Sequence, residues 1–231
     1  MNIAEFDKFA EEYLATHRTN LAVTGESPDY FARYKIVEVG RRLRALRIAP
    51  ARVLDFGCGI GSSAPHLREA FPDAEITGVD VSEKSLAVAR ARFPDAAEFV
   101  AYDPEDAPPA AQGGYDLIFS ACVFHHIDAD EHLGIFRRLR ERLAPGGVMA
   151  IFEHNPVNPV SRYIVATCPF DENAVLIPAG ELARRQRQAG FSKVVVSYTG
   201  FFPGPLKAFR PLEPLMATIP LGAQYYTLAR P

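Results

Sequence analysis

The chain has 231 residues, 48% of them hydrophobic and 23% charged, with 25 Lys+Arg set against 28 Asp+Glu for a net charge of −3. That length suits one α/β domain with a full core, and so even a balance excludes a nucleic-acid partner recognised by bulk positive charge. Three widely spaced cysteines, an acidic amphipathic start and no apolar run of membrane-spanning length point to a reduced, cytoplasmic protein with no secretory leader and no membrane span.

In chain order, Phe6, Phe9, Ala10, Tyr13 and Leu14 recur at helical spacing within residues 4–17, and residues 19–29, with Gly25 and Pro28, read as a loop. A second helix is predicted over 29–46, behind an S-P-D start that offers a cap with proline in the first turn. Residues 1–46 thus form a helical extension, either a lid or a flank, ahead of a main domain over 47–231.

From residue 52 the period changes. Strands are predicted at 52–56, 75–80, 97–102, 115–121 and 147–153, separated by helices at 62–70, 82–92 and 128–143, the last closed by P-G-G. A helix at 179–189, a strand at 191–199 and a strand at 223–229 complete the set. Two stretches break the alternation: an irregular, proline-stiffened insertion at 154–178 and a proline-rich apolar one at 201–222. Strands alternating with helices give an α/β fold, a mostly parallel sheet covered on both faces.

The first strand runs into V-L-D-F-G-C-G-I-G, with glycines at 57, 59 and 61. A ligand approaches a main chain closely only where no Cβ stands in the way. About twenty residues on, the second strand ends in Asp80, placed to accept hydrogen bonds from both hydroxyls of a ribose. A tight turn with no ligand is the competing reading of the glycines alone. The spacing is G-x-G-x-G, not the dinucleotide G-x-G-x-x-G, and Asp55 beside it is a poor neighbour for a pyrophosphate but suits an ammonium.

Together with G-V-D-V-S at 78–82, D-P-E-D-A-P at 103–108, Y-D-L-I-F-S-A-C-V-F-H-H-I at 115–127 and L-A-P-G-G-V-M-A-I-F-E at 143–153, this run resembles the class I S-adenosylmethionine-dependent methyltransferases over about residues 50–155. The resemblance implies a Rossmann-like doubly wound sheet of seven strands, order 3-2-1-4-5-7-6, the last antiparallel. It implies S-adenosyl-L-methionine as cofactor, with Asp55, Gly57, Cys58, Gly59 and Gly61 around its methionine part and Asp80 on the ribose. Asp103 would meet the adenine amino group, Val81 would pack on the ring, and Ser120, Ala121 and Cys122 would border the sulfonium.

Methyl transfer is an in-line displacement, in which the protein aligns the nucleophile and excludes water. A hydroxyl acceptor needs a base, and histidine serves near neutral pH. His125 and His126 follow the fourth strand, and Glu153 and His154 end the fifth, so the expected catalytic set is His125, His154, His126 and Glu153. No metal is expected, because adjacent histidines rarely point at one ion and no helical H-x-x-x-H is present.

Acceptor contacts are sought in the additions: Tyr13, His17, Tyr30, Tyr34 and Lys35 before the sheet; Asn155, Arg162 and Tyr163 in the first insertion, with Asp171 and Asn173 as further polar groups; and Phe201 and Phe202 in the second, whose apolar residues line a pocket or form a dimer surface. The reading is methylation of a small or medium organic acceptor with an apolar part, first at oxygen and otherwise at carbon or nitrogen, by a monomer or homodimer. A nicotinamide-dependent oxidoreductase and a catalytically silent cofactor-binding partner or sensor are the alternatives.

Overall fold

A computed structural model describes residues 24–231. The helix expected over 4–17, with Tyr13 and His17, lies outside the described residues. In chain order the elements are α1 (Pro28–Ala45), β1 (Arg52–Phe56), α2 (Ala64–Ala70), β2 (Glu75–Asp80), α3 (Glu83–Arg92), β3 (Glu98–Ala101), β4 (Tyr115–Ala121), α4 (His132–Glu141), β5 (Leu143–His154), α5 (Pro159–Thr167), α6 (Ala179–Gln188), β6 (Lys193–Thr199), α7 (Glu213–Met216) and β7 (Gln224–Arg230), with 3-10 turns at Phe124–His126, Pro169–Asp171 and Gly204–Leu212.

The sheet order is β3-β2-β1-β4-β5-β7-β6. β1 to β5 pair in parallel, and β7 runs antiparallel to both its neighbours. This is the fold expected from the sequence. Its core follows from the period of two in a strand. Leu54, Ile118, Met149, Ile151 and Tyr225 point to one face and pack with Ile135, Phe136 and Leu139 of α4 and Leu182 of α6. Their neighbours Val53, Leu117, Phe119, Val148, Phe152 and Tyr226 point to the other, against Ile36, Val39 and Leu43 of α1 and Leu67 of α2. Each fully buried aliphatic or aromatic side chain contributes roughly 1.5–3 kcal/mol, so the sheet holds its register through both faces.

The larger differences from the sequence reading are four. α4 begins at His132, not 128; residues before it turn, and the His132 ring Nε2 lies 3.1 and 3.0 Å from the Phe124 and Ile127 carbonyls, tying the helix start to the turn after β4. β5 begins at Leu143, not 147, because Leu143 pairs with Tyr115 and the P-G-G segment forms an irregularity before Leu117 pairs with Val148. The insertion at 154–178 is not irregular throughout: Asn158 accepts from Val160 N and Ser161 N and caps α5, with Pro159 in its first turn. The stretch at 201–222 holds a 3-10 run and the short α7.

Candidate active site

The order of the strands reverses between β1 and β4, and a crevice opens at their carboxyl ends. Its first end is built from backbone. Gly57, Gly59 and Gly61 all have positive φ, at +73°, +52° and +76°. At Gly57 a Cβ would stand 2.4 Å from Val123 Cγ2, so the loop passes hard against the turn after β4. At Gly59 a Cβ would meet nothing within 4 Å, so that glycine opens on empty space in the crevice. Gly57 N and Cys58 N both donate to Val79 O, which ties the loop to β2.

Asp80 ends β2 as expected. Its Oδ2 accepts from Gly59 N at 2.8 Å and its Oδ1 from Ser82 N at 2.9 Å, so it fixes the loop as well as facing the crevice. Burial raises its pKa against those backbone bonds. Asp55 is buried, and its Oδ2 has no hydrogen-bond partner among the described residues. Burial, with Asp80 adding repulsion, pushes its carboxyl up to about 7. An orphaned carboxylate beside an open loop is a place for a cationic group. Val81, Cys58 and Ala121 line the same wall, together with Tyr102, Ser62, Ser63 and Ser85. Asp103 stands apart: it is exposed, accepts from Glu105 N and does not line the crevice. Ser120 is buried behind the wall.

The second end is built from side chains of separate elements. His125 is buried in the 3-10 turn after β4, and its Nδ1 lies 2.6 Å from Glu153 Oε2 at the end of β5. Glu153 Oε1 accepts from Val123 N and Phe124 N at 3.2 and 2.8 Å, so this carboxylate holds the whole turn. The His125 Nε2 lies 3.4 Å from Asp171 Oδ1, without hydrogen-bond geometry, and His126 Nε2 lies 3.3 Å from the same oxygen. Burial disfavours a charge on His125, but the Glu153 and Asp171 carboxylates outweigh it and raise its pKa well above the usual value. Burial acts upward on Glu153 and Asp171, and the imidazoles beside them hold both below the usual carboxylate range. The two adjacent histidines do converge, because a 3-10 turn places both rings against one carboxylate; their centroids are 4.2 Å apart.

Cys122 has φ +59°, a left-handed backbone uncommon for a side chain of this kind, at the hinge between β4 and that turn. Burial pushes its thiol up, and Lys35 and His154 outweigh that to bring it down to about 7. Lys35 reaches in from α1. The residue is only 8% exposed and lines the crevice, and its ammonium makes no ion pair with a carboxylate among the described residues. His154 lines the crevice with its ring 5.5 Å from that of His125. Phe31 and Ala32 of α1 and Val160, Ser161, Ile164 and Cys168 on or beside α5 complete the walls.

The remaining expected acceptor contacts lie elsewhere. Tyr34 OH bonds to Glu213 and Thr199. Glu213 also accepts from Phe201 N and Phe202 N, and Arg210 spans Glu26 and the Tyr30 ring. These groups, Tyr30 and Tyr34 included, dock the 201–222 stretch on α1, away from the crevice; Phe209, Leu212 and Leu215 face outward. Asn155 is buried and donates to Pro220 O and Gly222 O. Arg162 and Tyr163 sit on the exposed side of α5. Asp171, sought only as a polar acceptor contact, stands beside the histidines; the groups that sequence reasoning left out of the site are Tyr102 and the inner side of α5, and the N-P-V-S cap signal marked that helix.

Residues 53–147 match the model of a family described as "Methyltransferase domain". Among curated relatives, a trans-aconitate 2-methyltransferase of Acidovorax sp. (strain JS42) is 42% identical over 103 residues, 45% of this chain and 38% of that protein. Another, from Methylobacterium nodulans, is 34% identical over 153 residues, 63% of this chain and 54% of that protein. The chain thus spans roughly half the length, or less, of these two relatives. Among solved structures, a protein of Thermotoga maritima described as a SAM-dependent methyltransferase and possible histamine N-methyltransferase superposes with a TM-score of 0.67 at 18% identity, covering 98% of each chain. The DhpI–SAH complex gives 0.65 at 20% identity, covering 99% of this chain and 94% of that one. Both likenesses concern the fold.

Proposed function

We propose for this chain, whose residues 53–147 match a methyltransferase-domain family and whose strand order is that expected of the class I S-adenosylmethionine-dependent methyltransferases, the methylation of a carboxylate oxygen on a small organic acid. The observation that carries this reading is that one crevice joins the glycine loop and Asp80 to a second end holding Lys35, His126 and His154. The residues present fit the cofactor: Gly59 leaves room along the loop, the orphaned Asp55 carboxylate suits the ammonium of its methionine part, and Asp80 faces the crevice where the ribose is expected. When bound, S-adenosylmethionine supplies a methyl group already activated on a sulfonium.

The rest falls to this chain's residues. The Lys35 ammonium reaches the crevice with no carboxylate paired to it among the described residues, and an anion in the crevice supplies that partner. Lys35 therefore holds a carboxylate. A carboxylate oxygen is ionised at neutral pH and needs no base, so His126 and His154 order the acceptor while His125 and Glu153 keep the turn rigid. Phe31, Val160 and Ile164 exclude water. Positioning of this kind is worth up to about 7–11 kcal/mol of barrier. The names of the curated relatives, methyltransferases of trans-aconitate, support a small acid. The test is incubation with S-adenosylmethionine and a panel of mono-, di- and tricarboxylic acids, phenols and amines, reading S-adenosylhomocysteine release and product mass. A methyl ester, cleaved by mild alkali, is expected from at least one acid; turnover confined to phenols or amines overturns the reading.

A further inference from the structure

The ligand atoms of His125, His126 and Asp171 all lie within 4.8 Å of one another. Two of the separations are short: 3.4 Å from His125 Nε2 to Asp171 Oδ1, and 3.3 Å from His126 Nε2 to the same oxygen. Zinc bonds of about 2.0–2.1 Å in a tetrahedral arrangement place neighbouring ligand atoms about 3.3–3.4 Å apart. The spacing is therefore that of two edges of a zinc tetrahedron before any atom moves.

The support around His125 is that of a metal ligand. Its Nδ1 faces Glu153 at 2.6 Å, and Glu153 is itself fixed by Val123 N and Phe124 N. A carboxylate behind a histidine sets the tautomer and aims the other nitrogen. That other nitrogen, Nε2, is buried and has no hydrogen-bond partner among the described residues, although the residue is only 2% exposed. A buried polar atom in that state calls for a partner. Asp171 arrives from a different element, the 3-10 turn after α5, and Val175 N donates to His125 O at 2.8 Å, so the insertion is locked to the turn that carries the histidines. All three residues face the crevice.

We propose that His125, His126 and Asp171 bind one divalent transition-metal ion of the zinc class, with Glu153 as the supporting carboxylate. Two imidazoles and one carboxylate form a nitrogen–oxygen set suited to zinc, and three protein ligands leave a position open on the crevice side. Bound through Nε2, His125 keeps Nδ1 facing the Glu153 carboxylate. The inference concerns metal binding alone, so its failure leaves methyl transfer untouched.

The test uses the full chain, stripped with chelator and dialysed, without cofactor or acceptor. Calorimetric titration with ZnCl2 is expected to give one equivalent per chain. Asp171→Asn and His126→Ala are each expected to weaken Zn2+ binding at least tenfold, with S-adenosylhomocysteine affinity retained as the check on folding. Cys122→Ser is expected to bind Zn2+ like the parent. Co2+ in place of zinc is expected to give tetrahedral visible bands with no sulfur-to-metal charge-transfer band. Binding well below one equivalent, equal affinity in the parent and both ligand variants, or loss of binding in Cys122→Ser overturns the proposal.

Discussion

The two ends of the crevice are made in different ways. The cofactor end is a run of backbone: a strand, a glycine turn and the end of the next strand, tied together by Val79 O and the Asp80 carboxylate. The acceptor end is a meeting of side chains from α1, the turn after β4, the end of β5 and the insertion that follows it. Backbone geometry is dictated locally and leaves contiguous signatures in sequence. A constellation of side chains is dictated by packing between distant elements and leaves only isolated residues. The first end should therefore respond to substitutions in glycine and carboxylate positions, and the second in charge and ligand positions, with little crossover.

The largest effect expected is at Gly57. Gly57→Ala adds a methyl at 2.4 Å from Val123 Cγ2 on a backbone of positive φ. Left-handed strain of about 1–2 kcal/mol and overpacking of about 1–3 kcal/mol add, so a marked fall in melting temperature is expected together with loss of S-adenosylhomocysteine binding. Gly59→Ala carries the same backbone strain but no clash, so it should lose less stability while still filling the cradle. Equal melting temperatures for the two variants would break the distinction between the tight and the open glycine. Next is Asp80→Ala. Charge-assisted hydrogen bonds are worth about 1.5–3 kcal/mol each, so S-adenosylhomocysteine affinity by calorimetry should fall at least tenfold in a chain that stays folded.

That contrast also decides what the sequence could reveal. The strand order, the glycine loop and Asp80 follow from local periodicity and turn chemistry, and the structure places them as read. Asp103 does not follow: the motif put a carboxylate after β3 at the cofactor, but the side chain turns back to Glu105 N and Tyr102 takes the wall. Tyr30, Tyr34, Phe201 and Phe202 were polar or aromatic residues in the right neighbourhood, and tertiary packing used them to dock 201–222 on α1 through Glu213 and Arg210. Asp171 lies 45 residues beyond His126 in the sequence, and only the fold of the insertion brings it to the histidines.

At the acceptor end the sharpest probe is Lys35→Met, which keeps the side-chain length and removes the charge. The KM for the acid should rise at least tenfold, since a charge-assisted contact of about 1.5–3 kcal/mol is lost, with S-adenosylhomocysteine affinity unchanged. The opposite split would assign Lys35 to the cofactor's own carboxylate and merge the two ends.

A smaller, graded effect is expected from pH at Asp55. Its folded pKa of about 7 lies above the ordinary value of about 3.9. The free folded chain thus holds a proton there that the unfolded chain has lost, and the Asp55 contribution to stability declines as pH rises from about 4 to about 7. A ligand ammonium favours the ionised carboxylate, so binding releases that proton. S-adenosylhomocysteine affinity should rise with pH towards 7, by up to about tenfold per unit, and level off above it. Asp55→Asn should flatten the profile; a flat profile in the parent would remove Asp55 from the ammonium.

The smallest effect is expected where the sequence named acceptor contacts and the structure turns them outward. Arg162 and Tyr163 are exposed on α5, while Ser161 and Ile164, their direct neighbours, line the crevice. Adjacent positions on a helix lie about 100° apart, so one turn carries both an inner and an outer face. Arg162→Ala and Tyr163→Ala should leave kcat and KM within about twofold of the parent, as surface changes away from caps and networks usually stay within about 0.5 kcal/mol. Ile164→Ala, on the inner face, should raise KM for the acceptor by widening the wall, while leaving S-adenosylhomocysteine affinity near the parent's. If instead Tyr163→Ala impairs turnover and Ile164→Ala does not, α5 presents its other face during catalysis, and the acceptor end must rearrange from the arrangement described above while the backbone-built cofactor end stays fixed.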